Sequence, residues 1–221
     1  MTKNTLTKII EQSQESINSN PRDYIGASII GSDCTRQIWY EFNGYTGSSV
    51  PNKTKRTWEI GKKLESLVMD WLKNTDIRIS DTWWDLESSK FDFFRGHIDC
   101  MWMELSGNEF VPYAIVEIKT AKDASFKIFV NKGLRAWSYQ YYCQIQAYMG
   151  MSGIHSAYIL VLNKDNSELS DELVTFDEEV YESLKDKAKR VYNYATEPPR
   201  INDSPYWFQC KLCKFNKECH K

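Results

Sequence analysis

Two segments of this 221-residue chain place acidic and basic side chains at a spacing that suits phosphate chemistry. Asp99 lies in one predicted strand, and Glu117, Ile118 and Lys119 close the next strongly apolar strand. Because side chains alternate along a strand, Glu117 and Lys119 project from one face while Ile118 faces the core. If the two strands pair as a hairpin, Asp99 meets Glu117 across the ladder.

This spacing favours a divalent metal site. Adjacent carboxylates repel each other unless a cation lies between them, so Asp99 and Glu117 predict a Mg²⁺ or Mn²⁺ site. The carbonyl of Ile118 is placed to add a third oxygen. Lys119 is placed to orient or help deprotonate a water and to steady charge on a phosphoryl transition state. The groups together predict phosphodiester hydrolysis, although Glu-x-Lys at a strand end is more often a solvated charge pair.

Three further side chains extend the candidate site. Glu65 lies at the margin of the apolar stripe of a helix predicted from 58 to 74, where it can face the metal. The alternative for Glu65 is an ordinary surface glutamate. Gln144 and Tyr148 lie one turn apart on a helix predicted from 137 to 149. At that spacing they share a face and are expected to bind a phosphate or to orient the lysine.

Basic residues follow the Glu-x-Lys strand directly, whereas acidic residues concentrate in the segment 164–186. The side chains predicted to contact a DNA backbone are Lys122, Lys127, Lys132 and Arg135. Such phosphate contacts supply much of the affinity for nucleic acid. A solvated loop explains the basic strip equally well, and the formal net charge of -2 argues neither for nor against a polyanionic partner.

Four of the six cysteines predict a second metal centre. Cys210, Cys213 and Cys219 form a C-x2-C-x5-C tail, and three thiolates leave one ligand position open. Cys34 is expected to fill that position, and His220 is the local alternative. The first residues lack the apolar segment of a signal peptide, so the thiols are expected to be reduced or metal-bound in a cytosol.

The elements that must position these groups follow an α/β pattern. The predicted order is a helix at 58–74, strands near 76–84, 91–103 and 110–119, a helix at 137–149, a strand at 156–163 and a helix at 178–195. Because the strongest apolar strands flank the 137–149 helix, we expect a mixed sheet with helices on both faces. The expected single domain, 1–221, has an N-terminal helical part (1–57), a core (58–195) and a cysteine-bearing tail (196–221). No apolar run is long enough to span a membrane.

Taken in order, the motifs resemble the PD-(D/E)xK nuclease superfamily, specifically the RecB-like exonucleases with a C-terminal iron–sulfur cluster. This group includes CRISPR-associated and phage-encoded members. The matching positions are Ser28, Cys34, Arg36, Trp39, Tyr40, Glu65, Gly96 to Asp99, Glu117 to Lys119, Gln144 to Tyr148, Cys210, Cys213 and Cys219. Glu65 stands where the family has a metal-ligating histidine. His220 follows the last cysteine where the family commonly has proline, so Zn²⁺ is an alternative to a [4Fe–4S] cluster.

The resemblance implies a restriction-endonuclease-like fold whose N-terminal segment and tail join at the metal cluster. It also implies a Mg²⁺- or Mn²⁺-dependent exonuclease acting on single-stranded DNA or DNA ends, in the cytoplasm of a prokaryotic or phage-infected cell. The implied work is DNA recombination, repair or processing, by a homo-oligomer or with a recombination-complex partner. The alternatives are a non-catalytic DNA-binding or adaptor module of a recombination or spacer-acquisition complex and a zinc-stabilised interaction protein.

Overall fold

The structure, a computed structural model, describes residues 5–13, 22–80, 84–88 and 91–221. The helices are α1 (Thr5–Ser13), α2 (Ala27–Ile30), α3 (Thr35–Phe42), α4 (Asn52–Lys73), α5 (Asp123–Trp137), α6 (Tyr139–Ser152), α7 (Glu178–Asn193), α8 (Phe208–Leu212) and α9 (Asn216–Cys219). The strands are β1 (Ile25–Gly26), β2 (Arg78–Ile79), β3 (Trp84–Ser88), β4 (Phe91–Ile98), β5 (Cys100–Ser106), β6 (Glu109–Ala121), β7 (Ser156–Asn163) and β8 (Leu169–Thr175).

The strands form two mixed sheets flanked by helices. The smaller sheet has the order β1-β4-β3, and the larger has the order β2-β5-β6-β7-β8. Strand β6 pairs antiparallel with β5 and parallel with β7. The parallel step requires a crossover, which α5 and α6 provide. The predicted α/β class with helices around a mixed sheet is therefore confirmed, but the strands divide between two sheets.

Apolar side chains cover both faces of the larger sheet. On one face α6 and α7 cover a core that includes Ile115, Ile159 and Ile145. On the other face Val68 of α4 packs into a smaller cluster with Ile118 and Cys100. The central strand β6 is buried continuously from 114 to 118, which places the Glu-x-Lys segment at the end of a rigid element. Within the described residues, no helix is both long enough and apolar enough to cross a membrane.

The predicted strand at 91–103 is wrong as a single element because it breaks at Asp99. Strand β4 belongs to the smaller sheet and β5 to the larger one. Period-two alternation continues across the break in the sequence, so the pattern alone does not reveal it. The strand predicted near 76–84 corresponds to β2 and the start of β3, with 81–83 outside the described residues.

Helix α4 begins six residues before the predicted start at 58, since Asn52 is its first residue. Its first turn is closed by bonds from the amides of Thr54 and Lys55 to the carbonyl of Pro51, at 2.8 and 3.1 Å. The Asn52 side chain binds the carbonyl of Glu11 in α1 at 2.9 Å. That first turn carries no apolar side chain, so the hydrophobic period starts only at 58.

The loop reading of the basic strip is wrong, because residues 123–137 form α5. Gly133 interrupts this helix with φ of 75° and ψ of 173°. A side chain from β8 supports the interruption: the amide of Leu134 donates to Glu172 Oε2 at 2.6 Å. Since the support comes from a distant strand, local periodicity did not predict the helix.

Candidate active site

The break between β4 and β5 positions the first acidic residue. Cys100 pairs with Val116, and the same antiparallel register places Asp99 opposite Glu117. Asp99 Oδ2 accepts a hydrogen bond of 2.8 Å from the amide of Ile118, which fastens the carboxylate to β6. Burial raises the pKa of Asp99, while Lys119 and the Ile118 amide oppose that shift. The predicted meeting of the two carboxylates across the strands is confirmed.

Glu117 is the most deeply buried acid of the site. Its side chain is 2% exposed. Oε1 accepts from Lys119 Nζ and from Gln144 Nε2, the latter at 3.0 Å. Oε2 is buried and has no hydrogen-bond partner among the described residues. Burial raises the pKa of Glu117 to about 8 against the attraction of Lys119, and the negative charge of Asp99 adds to the rise.

Lys119 holds the positive charge of the site. Burial alone would lower its pKa, but Glu117 and Asp99 outweigh burial and raise it. The Lys119 ammonium also donates to the carbonyl oxygen of Ile118 at 3.3 Å and lies 5.3 Å from the centre of the Tyr141 ring. It therefore contacts two of the oxygens that the sequence assigns to a metal ion.

Glu65 faces the same cluster from α4. It is half-buried, and burial raises the pKa of its carboxyl. Lys119 lowers that pKa and Asp99 raises it, so all three groups are close enough to interact. Gly61 lies one turn earlier on α4. A Cβ atom there would meet Thr120 Oγ1 at 3.5 Å, an ordinary contact, so the backbone does not require glycine.

Gln144 and Tyr148 are buried behind Glu117 instead of facing a substrate. Gln144 Nε2 donates to Glu117 Oε1 and, at 2.6 Å, to Tyr148 Oη. Both side chains belong to α6 and are buried in the protein interior, so the expected direct contact with a phosphate is wrong. Through these bonds the pair orients the glutamate, which in turn holds Lys119.

The acidic residues fit a divalent cation in donor chemistry and charge. Within the described part of the chain, no group of three or more Asp, Glu, His or Cys side chains is arranged so that it could hold a metal ion. The unpartnered Glu117 Oε2 is nevertheless a buried acceptor that a cation would satisfy. Carboxylate and carbonyl oxygens are the ligands that Mg²⁺ and Mn²⁺ prefer, and the Lys119 ammonium stands in for such a cation here.

The four predicted cluster cysteines line one cavity of about 390 Å³. Burial raises the pKa of the Cys210 and Cys213 thiols, and the nearby thiols of Cys34 and Cys219 raise both further. His220 lies in the same cavity with Nε2 buried and unpartnered among the described residues. Four sulfur donors and His220 match an iron–sulfur cluster or Zn²⁺ in ligand type, although as placed among the described residues they do not form a group that could hold a metal ion.

The predicted DNA-binding residues do not form one patch at the site. Lys122 caps the start of α5 beside the Glu-x-Lys strand. Lys127 forms an ion pair with Asp123 at 2.7 Å, and Arg135 lies over the rings of Tyr139 and Tyr142. No described contact brings Lys132 to the site, and only Lys122 of the four lies next to it.

Sequence reasoning missed a groove that begins at Thr120, the residue after Lys119. We call it the lysine groove; it measures about 500 Å³ and its lining includes Thr120, Lys122, Ser138, Gln140, Tyr141 and Lys164. Lys122 directly follows β6, and Lys164 directly follows β7, the strand parallel to β6. Lys122 and Lys164 therefore lie at the same edge of the larger sheet. Lysines just beyond the ends of two neighbouring parallel strands were the signal that could have revealed it.

Comparison with known proteins identifies related folds but no sequence family. No protein-family model and no curated protein matches the chain. The alkaline exonuclease LHK-Exo from Laribacter hongkongensis is 11% identical, with 78% of this chain and 87% of that chain covered and a TM-score of 0.58. Its complex with dAMP gives 12% identity, 76% and 86% coverage and a TM-score of 0.58. A protein designated SSO0001 gives 16% identity, 97% and 93% coverage and a TM-score of 0.51.

At these identities the similarity establishes the fold. The two mixed sheets with flanking helices are consistent with a restriction-endonuclease-like fold. Active sites are grafted onto folds and vary within them, so what this site does must be argued from its own residues.

Proposed function

We propose that the protein is a Mg²⁺- or Mn²⁺-dependent exonuclease that hydrolyses phosphodiester bonds of DNA at single-stranded or free ends. The observation that carries the proposal is the convergence of Asp99, Glu117 and Lys119, with one buried carboxylate oxygen unpartnered among the described residues. The fold similarity to LHK-Exo, which has been solved with dAMP, supports it, because a nucleoside monophosphate is a product expected of an exonuclease.

Glu65, Asp99, Glu117 and the Ile118 carbonyl would hold the metal ion. When bound, the ion would supply a Lewis acid that polarises the phosphodiester and lowers the pKa of water. Lys119 donates to Glu117 Oε1 and to the Ile118 carbonyl. From this position its ammonium would orient the attacking water and balance the charge that accumulates on the phosphoryl oxygens.

The remaining residues have supporting roles in this proposal. Gln144 and Tyr148 fix the rotamer of Glu117 through their hydrogen bonds. The lysine groove gives the DNA strand a positively charged path away from the reacting phosphate. The cysteine cavity would hold an iron–sulfur cluster or Zn²⁺ with a structural role.

The test is cleavage of end-labelled single- and double-stranded oligonucleotides with and without Mn²⁺. We expect Asp99→Ala and Lys119→Ala to lose at least about 100-fold in rate, as expected when a preorganised charge is removed from a transition state. Lys189→Ala, which removes an exposed lysine from α7, is the matched control and should retain wild-type activity. Undiminished cleavage by either active-site variant would refute the assignment.

A non-catalytic DNA-binding or adaptor module is the outcome that the same assay would reveal if the wild-type protein bound DNA without cutting it. A zinc-stabilised interaction protein would neither bind nor cut. Cleavage and a gel-shift measurement of binding, made on the same labelled oligonucleotides, together separate the three functions.

A further inference from the structure

One face of α4 connects the candidate active site to an exposed tryptophan. Side chains three and seven residues apart share a helix face, so Trp58, Gly61 and Glu65 lie along one line. Farther along that face Val68 is buried against the larger sheet. The line that begins at Trp58 therefore faces the sheet and the acidic cluster, not the solvent side of the helix.

The direction of α4 places Trp58 beyond the end of β6. Glu65 interacts with Asp99 and Lys119, and Gly61 lies against Thr120, one residue farther along β6. Helix α4 therefore runs antiparallel to β6, so the residues before Gly61 lie toward the C-terminal end of that strand. Trp58 lies one turn before Gly61, about 4.5 Å along the helix axis. That step brings it to about the level of Lys122, the residue that follows the end of β6.

Core packing does not explain the indole at this position. Trp58 is 57% exposed although its helix face is the one that packs on the sheet. No aromatic side chain of the described residues lies against its ring. An exposed aromatic ring near the end of a strand that carries polar side chains is a suitable platform for another planar group.

The charges around Trp58 select the chemistry of that group. Lys62 follows at the next turn and acts electrostatically on Glu65. Lys55 precedes it by three residues on the neighbouring part of the same face. Lys122 and Lys164 line the groove beyond. Aromatic rings interleaved with lysines match the stacking and backbone contacts by which proteins hold single-stranded nucleic acid.

We infer that Trp58 stacks on a nucleobase of single-stranded DNA and thereby positions the strand at the acidic cluster. The inference rests on the proposed nuclease function and adds a preference for unpaired bases. Bases inside a duplex are already stacked on both sides, so the ring favours single strands over the interior of paired DNA. Trp58 is a positioning residue, because it does not reach the reacting phosphate.

The test compares three variants on labelled oligothymidylate. Trp58→Ala should weaken binding in Ca²⁺ about tenfold, as expected for loss of one stacked base, and Trp58→Phe should restore most of that affinity. Trp71→Ala is the matched control, because Trp71 is a 41% exposed tryptophan on another face of α4. With Mn²⁺, the KM of Trp58→Ala for single strands should rise about tenfold while kcat stays within about twofold.

An abasic scan distinguishes stacking from general loss of structure. Moving one abasic site along the oligonucleotide should cost the wild type about tenfold at one position and cost Trp58→Ala nothing further there. Equal losses in Trp58→Ala and Trp71→Ala, or an abasic penalty that persists without the indole, would overturn the inference. Binding is measured without cleavage, so an inactive wild-type enzyme would refute the proposed function while the stacking test still gives a result.

Discussion

Glu117 combines three properties that ordinary surface acids lack. It is buried, one of its oxygens has no partner among the described residues, and its other oxygen accepts from both Lys119 and Gln144. A buried charge of this kind costs stability unless it is fully paired. Because the site retains Glu117 despite this cost in stability, we expect Glu117 to bind a divalent cation more strongly than it binds the Lys119 ammonium.

The raised pKa of Glu117 predicts that cation binding depends on pH. Because protons compete with the cation for this carboxylate, the apparent Kd for Mg²⁺ should fall by about tenfold per pH unit from about 6 to 8. Above the pKa of about 8 the carboxylate is already ionised, so the Kd should level off. Titration calorimetry in buffers of different ionisation enthalpy measures both the affinity and the proton released. A Kd that is constant from pH 6 to 8 would contradict this assignment of the ligand.

Gly96 provides a second prediction at the residue scale. A Cβ atom at Gly96 would lie 2.5 Å from Tyr148 Cε1 and 3.2 Å from the Cβ of Ala27. Gly96→Ala must therefore displace the tyrosine ring that supports Gln144. We expect a loss of about 1–3 kcal/mol in the free energy of unfolding, measured by urea denaturation, with reduced cleavage.

The control for this substitution is Gly61→Ala. The added Cβ makes only an ordinary contact with Thr120 Oγ1 at 3.5 Å, within a helix. Replacing glycine in a helix interior should stabilise the protein by about 0.5–1 kcal/mol. If both variants lose the same stability, the close packing of Gly96 on Tyr148 is not what limits that position.

At the scale of residues, the sequence predicted that Asp99 and Glu117 lie together. It did not predict the hydrogen bond by which Gln144 holds Glu117. Alternation along a strand is local, so Glu117 and Lys119 could be assigned to one face from spacing alone. The hydrogen-bond partner of Gln144 depends on the strand against which α6 packs. The connection from β6 to the parallel strand β7 determines that packing. Of the two roles expected for Gln144 and Tyr148, direct contact with a phosphate is wrong for this reason, whereas orientation of the lysine stays a prediction.

At the scale of elements, α5 depends on a side chain from another part of the chain. Glu172 in β8 accepts from the amide of Leu134, the residue that follows the interruption at Gly133. Leu134 is buried, so the amide has no access to water. The last turn of α5 therefore depends on β8 for one buried hydrogen bond, which the local sequence did not reveal.

Glu172→Ala should leave that buried amide without an acceptor. The expected loss is about 1–3 kcal/mol in the free energy of unfolding, and Glu172→Gln should lose less because its amide oxygen can still accept. Asp171→Ala, an exposed position on the same strand, is the control and should change stability by less than about 0.5 kcal/mol. Equal stability of all three variants in urea would show that the carboxylate does not support α5.

At the scale of the whole molecule, the cysteine cavity joins distant parts of the chain. Arg36 donates to the carbonyl of Pro198 at 2.5 Å, pairs with Glu197 at 3.1 Å and donates to Cys219 Sγ at 3.7 Å. The backbone of Ser48 also bonds to the carbonyl of Lys214 at 2.7 Å. The tail is therefore fixed to the N-terminal helical part, as the sequence predicted, while the cluster itself and the single-domain division remain predictions.

Removal of the predicted cluster should loosen the tail before the catalytic core. Protein purified without oxygen should contain iron or zinc in stoichiometric amount, and Cys213→Ser should lose it. We expect limited proteolysis of that variant to cut within 196–221 first, together with a lower Tm. Cys100→Ala, which changes a buried thiol in the other core cluster, should keep its metal. A metal-free wild-type protein with a protected tail would contradict the assignment.

The break at Asp99 makes this acid the link between the two sheets. Strand β4 ends one residue before Asp99, and β5 begins one residue after it in the other sheet. The carboxylate itself is held at β6 by the amide of Ile118. The backbone at this position therefore depends on the packing of both sheets, whereas Glu117 lies within one strand of the larger sheet alone.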